Sequence, residues 1–179
     1  MSLGLYVHFP FCSYLCNYCD YFKVLHSKAL EEKYFAALTT ETKLIAKELS
    51  SDATVDTLFI GGGTPSIASL KLLQEWLKVA RSSFSFAEKI EFSFECNIDS
   101  TDVEKLSILK ELGVTRPCLG MQSFNEQLLK AITRPHSPHE GHQVVYHCQA
   151  LGFASFNIDL LFGMPGQSNN LFLEDVSQL

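Results

Sequence analysis

Three cysteines, Cys12, Cys16 and Cys19, stand in the spacing Cys-x3-Cys-x2-Cys, close behind a short β-rich run from Leu3 to Phe9. Thiolates at such spacing bind soft metals. The i, i+4, i+7 interval is also helical, but Pro10, Ser13, Asn17 and Asp20 fit a loop better than a buried thiol stripe. Zinc is one reading, with His8 or His26 as fourth ligand. An electron-transfer ferredoxin site needs four thiolates in its own spacing, and no fourth cysteine is near. Three thiolates on a four-iron cluster would leave one iron open to a small ligand.

Other chemically able residues follow later β-rich runs. Gly61, Gly62, Gly63 and Thr64 allow a ligand to approach the backbone closely, or make a tight strand-to-helix turn. They lack the spacing of a dinucleotide loop, and no Gly-Lys-Ser/Thr follows to make a P-loop. Glu95 with Asn97, Gln122 with Ser123, and Asp159 ahead of Gly163–Gly166 sit at or near further run ends. The two carboxylates can be solvated, or can hold an ammonium group or ribose hydroxyls. His136, His139, His142 and His147 lack carboxylate support and read as a helix and its lead-in, not a metal site. Cys96, Cys118 and Cys148 are scattered and read as small core residues.

The elements that must position these groups alternate strand and helix. Helices are expected over 28–49, 68–82, 101–112, 125–132 and 138–151, with a last one beginning near the chain end. Thr101 and Glu104 give a capping pattern to the third. Strands are expected at Val55–Ile60, Lys89–Glu95, Cys118–Met121 and Phe156–Phe162. About five βα units argue for a parallel sheet with crossover helices. In such folds ligands bind at the carboxyl ends of strands, where the cysteines, glycines and polar residues cluster. A closed (β/α)8 barrel takes ~250 residues, against 179 here. The expectation is therefore a partial parallel barrel, the first part of a larger one.

Composition limits the function classes. Hydrophobic residues are 46% and charged residues 19%, a globular balance. The net charge of −6 argues against a broad nucleic-acid surface, which needs a basic stripe. No apolar run approaches the ~20 residues of a membrane span. The amino-terminal segment has no basic region before its apolar run and no small-residue cleavage site, so no signal peptide is expected. A cytoplasmic location with reduced cysteines is expected.

The run Tyr6-Val7-His8-Phe9-Pro10-Phe11-Cys12-Ser13-Tyr14-Leu15-Cys16-Asn17-Tyr18-Cys19 resembles the cluster motif of radical S-adenosylmethionine (SAM) enzymes. More narrowly, the chain resembles the oxygen-independent coproporphyrinogen III oxidase family. The supporting motifs are Phe59–Ser66, Gly120–Phe124, Arg134–Ser137 and Asp159–Gln167, in the family's order and across nearly the whole chain. The resemblance implies a radical SAM core over residues 1–179, with a [4Fe-4S] cluster on Cys12, Cys16 and Cys19. It implies SAM on the fourth iron, cleaved on reduction to methionine and a 5′-deoxyadenosyl radical. Carried over residue by residue, Tyr6, Tyr18, Gly62, Gly63, Thr64, Glu95, Gln122, Arg134 and Asp159 would line the SAM pocket. No catalytic residue is assigned.

Within the family, coproporphyrinogen dehydrogenases carry a further cysteine two residues after the third ligand. Here Tyr21 stands there, and Cys19-Asp20-Tyr21 resembles the heme chaperone (HemW-like) branch. That branch implies heme or a porphyrin as ligand, an electron donor, and heme-accepting proteins as partners. Two other readings stay open at this level. One is a dehydrogenase forming protoporphyrinogen IX; the other is an inactive truncated or zinc-binding remnant. Cys96-Asn97-Ile98 departs from the family's usual small residue, Asn and Pro, and Arg116-Pro117-Cys118 from a regular strand. The family's later strands and carboxyl-terminal domain are expected to be absent from this sequence.

Overall fold

The computed structural model describes residues 1–50 and 52–179. Strand β1 (Ser2–Phe9) leads to a short pair, β2 (Phe11–Cys12) and β3 (Val24–Leu25), which brackets the cysteine loop. Then follow α1 (Lys28–Glu48), β4 (Thr54–Gly62), α2 (Leu70–Ser83), β5 (Ser85–Asn97) and α3 (Val103–Glu111). The chain continues through β6 (Arg116–Gln122), α4 (Glu126–Ala131), α5 (Pro138–Ala150), β7 (Asn157–Leu160) and α6 (Asn169–Ser177). Two 3-10 turns, Pro65–Ile67 and Ile98–Ser100, follow β4 and β5.

The five long strands form one parallel sheet in the order β1-β4-β5-β6-β7. Sequential order with helical crossovers is the start of a (β/α) barrel. The sheet is open, with β1 and β7 at its edges. The expected α/β class with about five βα units is therefore observed. Boundaries differ in physically readable ways. β5 extends to 13 residues, because its first part pairs with β4 across a register shift between Val55 and Thr57. β7 is shorter than its apolar run; Phe162 lies beyond it, 78% exposed. Pro117 is accommodated inside β6, opposite Phe94.

Local signals explain where the helices begin. Ser27, Ser69, Asp102, Asn125, Ser137 and Ser168 each accept a backbone N–H in the first turn of their helix. For α3 the cap is Asp102 and not the expected Thr101. The hydroxyl of Thr101 instead donates to the Asn97 carbonyl, 2.7 Å away. Ser137 and Glu140 form a full capping box on α5.

The core lies between the sheet and the helices. Phe9, Leu58, Phe92, Phe94, Leu106, Leu109 and Leu119 are essentially sealed from solvent, each contributing about 1.5–3 kcal/mol by burial. Trp76 of α2 is also sealed and donates its indole N–H to Thr42 of α1 at 3.0 Å, so that helix pair is fixed by one specific bond as well as by packing. Cys96, Cys118 and Cys148 are buried, as expected of small core residues. Buried Asp175 of α6 accepts from Ser123 Oγ and Phe124 N–H, each at 2.7 Å, which ties the last helix to the end of β6. No helix is long and apolar enough to cross a membrane among the described residues.

Candidate functional site

The carboxyl ends of β4, β5, β6 and β7 and the cysteine loop enclose a cleft of about 420 Å³. Eight of the nine expected pocket residues line it: Tyr18 from the loop, Gly62, Gly63 and Thr64 from the β4 end, and Glu95, Gln122, Arg134 and Asp159. Tyr6 does not. It stands 57% exposed on β1 and lines a neighbouring groove with Tyr34 and Glu41. Side chains along a strand alternate in direction, so Tyr6 shares a face with His8, to which its hydroxyl is bonded. Burial raises that hydroxyl, with Glu95 and Tyr21 of the cleft adding to the rise, which places Tyr6 at the cleft margin.

The cysteine loop is a loop, not a helix. Cys12 is held in β2 and buried; Cys16 and Cys19 lie in the following turns, half-buried. Thr64 Oγ1 donates to Cys12 Sγ at 3.3 Å and accepts from Asn97 Nδ2 at 3.3 Å, so the β5 end reaches the first thiol through one hydroxyl. Burial pushes the Cys12 thiol up from its ordinary range, and the neighbouring Cys19 adds to this. Cys16 is raised for the same main reason, with Cys19 and Cys12 contributing, while Arg134 opposes the shift. Three thiols within electrostatic reach of one another, with Cys12 and Cys16 reluctant to ionise alone, suit a cationic iron–sulfur centre that deprotonates its ligands.

The histidines named as a fourth zinc ligand are committed elsewhere. His8 Nε2 donates to the Phe22 carbonyl at 2.9 Å, which leaves Nδ1 to accept from Tyr6 Oη at 3.0 Å. His26 pairs with buried Glu31 at 3.0 Å. Among the described residues no three His, Cys, Asp or Glu side chains stand at metal-coordinating spacing, the three loop thiols included.

The remaining wall is polar and specific. The Gly62 N–H donates to Glu95 Oε2 at 2.9 Å. Gly62 has φ +115°, and a Cβ there would meet the His8 ring at 2.7 Å. A Cβ on Gly63 would strike the Phe11 carbonyl oxygen at 2.6 Å. Glycine is thus required where β4 passes the cysteine loop. Burial raises the Glu95 carboxyl, with Asp159 adding to the rise; burial also raises Asp159. Two carboxyls held above their usual range across one cleft suit a ligand with cationic or hydroxyl donors. Burial pushes the Tyr18 hydroxyl up to about 12.

Arg134 is the cationic counterpart. It is 6% exposed, and its Nε has no hydrogen-bond partner. A buried guanidinium with one donor left unpartnered suits an anionic ligand atom. Its Nη2 donates to the Gly120 carbonyl at 3.3 Å, and its Nη1 to Tyr14 Oη at 3.2 Å.

Sequence reasoning missed three participants. Gly120 faces Arg134, Gln122 and Asn97 so closely that a Cβ would meet all three within 3.2 Å. Cys118 lines the cleft floor besides being a core residue. Tyr14 touches Arg134 and Asp99. Only Gly120 carried a local signal, as a glycine inside a strand pattern.

The model of the radical SAM superfamily matches residues 6–179. The oxygen-independent coproporphyrinogen III oxidase of Pseudomonas aeruginosa is 32% identical over 99% of this chain and 39% of its own. The heme chaperone HemW of Bacillus subtilis is 36% identical over 91% of this chain and 43% of its own. The solved structure of coproporphyrinogen III oxidase (HemN) from Escherichia coli, described as a radical SAM enzyme, superposes with a TM-score of 0.91 at 29% identity. It is matched over 98% of this chain and 40% of that one. The chain thus spans less than half the length of these relatives. With its parallel sheet, its cysteine loop and a family match over nearly all its residues, the chain belongs to the radical SAM superfamily.

Proposed function

We propose that this chain is the cluster- and SAM-binding core of a heme chaperone-like protein. Cys12, Cys16 and Cys19 would hold a [4Fe-4S] cluster, and the cleft beside them would hold SAM. The observation that carries the reading is the cysteine loop, through Cys19, set at the edge of a cleft in which buried Arg134 keeps one guanidinium donor, Nε, without a partner. When bound, the cluster supplies the electron that cleaves SAM. The residues of the chain do the rest. Thr64 holds Cys12, Gly62 and Gly63 let the ligand reach the backbone, and Glu95, Asp159, Gln122 and Arg134 orient its polar atoms. Tyr6, at the cleft margin, would approach the same ligand while holding His8 through its hydroxyl.

The chaperone branch is favoured over the dehydrogenase by Tyr21, which occupies the position of the extra cysteine in the dehydrogenases and lines the cleft mouth at 74% exposure. Heme or a porphyrin is then the second ligand, and an electron donor and heme-accepting proteins are the partners. A cytoplasmic site of action fits reduced cysteines and an oxygen-sensitive cluster. The test is anaerobic reconstitution with iron and sulfide, followed by hemin titration and a parallel assay with coproporphyrinogen III. The expected result is about four irons per chain, lost on Cys16→Ala, with hemin bound and no protoporphyrinogen formed. Zinc retained without sulfide, or porphyrinogen turnover, contradicts the respective part.

A further inference from the structure

The loop that carries the cysteines is tied to the cleft through the side chain of Tyr14, which lies between Cys12 and Cys16. Its hydroxyl donates to Asp99 Oδ1 at 3.0 Å and accepts from Arg134 Nη1 at 3.2 Å. Asp99 belongs to the 3-10 turn after β5, and Arg134 to the segment after α4. The two partners are 85 and 120 residues away in sequence. The same segment grips the loop a second time. Asn17 Nδ2 donates to the Ala131 carbonyl at 3.2 Å, and Asn17 N–H to Thr133 Oγ1 at 3.4 Å, with Thr133 held at φ +59°.

The consequence falls on Arg134. With Nη1 held by Tyr14 and Nη2 by the Gly120 carbonyl, the guanidinium plane is fixed at the cleft wall, and Nε alone has no partner. A planar fork held at two points presents its remaining donor in one direction. We propose that Tyr14 is a positioning residue: it fixes Arg134 for the carboxylate of the cleft ligand and thereby couples order in the cysteine loop to ligand affinity. The inference rests on the proposed SAM site and adds the residue that links that site to the metal loop. Coupling of this kind is reciprocal. A ligand that engages Arg134 steadies the loop, and a loop ordered by its metal centre improves the ligand site.

The test compares wild-type and Tyr14→Phe protein, which differ by one hydroxyl. In reconstituted protein, the SAM dissociation constant from titration of the reduced cluster's EPR signal is expected to rise ~10- to 100-fold, the scale of one lost hydrogen bond to a charged group. The melting temperature of the cluster-free chain is expected to stay within a few degrees. In cluster-free protein, iodoacetamide labelling of Cys16 is expected to be slowed by S-adenosylhomocysteine in the wild type and not in Tyr14→Phe. A Tyr14→Phe protein that binds SAM within twofold of wild type overturns the proposal. A wild-type cluster that ignores SAM overturns the underlying site instead, and the two failures are distinct. Should Tyr14→Phe not fold, Asp99→Ala at an exposed position releases the tyrosine hydroxyl; weaker SAM binding supports the coupling, and unchanged binding overturns it.

Discussion

Glu95 and Asp159 face one cleft with carboxyls raised by burial, and each raises the cost of ionising its neighbourhood. A carboxyl whose folded pKa lies above its unfolded value stabilises the fold below the ordinary carboxylate range, and that contribution is lost as pH rises through the folded value. His8 beside Glu95, and Arg116 and Arg134 beside Asp159, oppose but do not cancel the shifts. Glu95→Gln is therefore expected to stabilise the ligand-free protein at neutral pH and to flatten its loss of stability as pH rises above the ordinary carboxylate range. A melting series from pH 4 to 8 checks this. The same variant is expected to weaken SAM binding about tenfold or more, as removal of a charge-assisted bond does. Lower neutral stability together with full affinity would contradict both roles. At this scale the cysteines were legible because a short-range spacing declares them. Glu95, Gln122 and Asp159 were legible from their place at strand ends, Arg134 only through a resemblance, and Tyr14 was invisible, since both its partners are distant in sequence.

The strand ends and the glycines between them decide whether these side chains meet. β4 passes the cysteine loop with no room for a methyl group at Gly63, where the Phe11 carbonyl oxygen and Pro10 carbonyl carbon would lie at 2.6 and 2.9 Å. Both obstacles are backbone, so neither can turn aside. Gly63→Ala is expected to destabilise the chain by about 1–3 kcal/mol, as overpacking does, and to lower cluster occupancy by displacing β2. Gly166 is a contrast: nothing lies within 4 Å, and only its φ of +80° resists a side chain, worth about 1–2 kcal/mol. Urea unfolding with iron analysis separates the cases, because Gly166→Ala should keep full iron. Equal iron loss in both would show that strain anywhere in the loops suffices. Element types were legible from periodicity and caps. Their limits were less so, because the extension of β5 and the shortness of β7 depend on what each strand pairs with. The cap of α3 moved by one residue: Asp102 Oδ1 accepts from the Lys105 N–H, while the Thr101 hydroxyl donates to the Asn97 carbonyl.

Across the whole molecule, the alternation of strand and helix made the parallel sheet legible, and the site fell at the strand ends where such folds place it. What the alternation did not reveal is the approach of the amino-terminal cysteine loop to Arg134 and the segment before it, made by Tyr14 and Asn17. The chain covers 39% of the Pseudomonas oxidase and 43% of the Bacillus chaperone, so the heme- or porphyrin-directed part of the proposal reaches beyond the residues described. The cluster and SAM part does not, since its donors lie within this chain. The most direct measurement is the EPR spectrum of the reconstituted, dithionite-reduced protein with and without SAM. A [4Fe-4S]⁺ signal that changes on adding SAM, and not on adding adenosine, is predicted. A signal indifferent to SAM would contradict the assignment of the cleft.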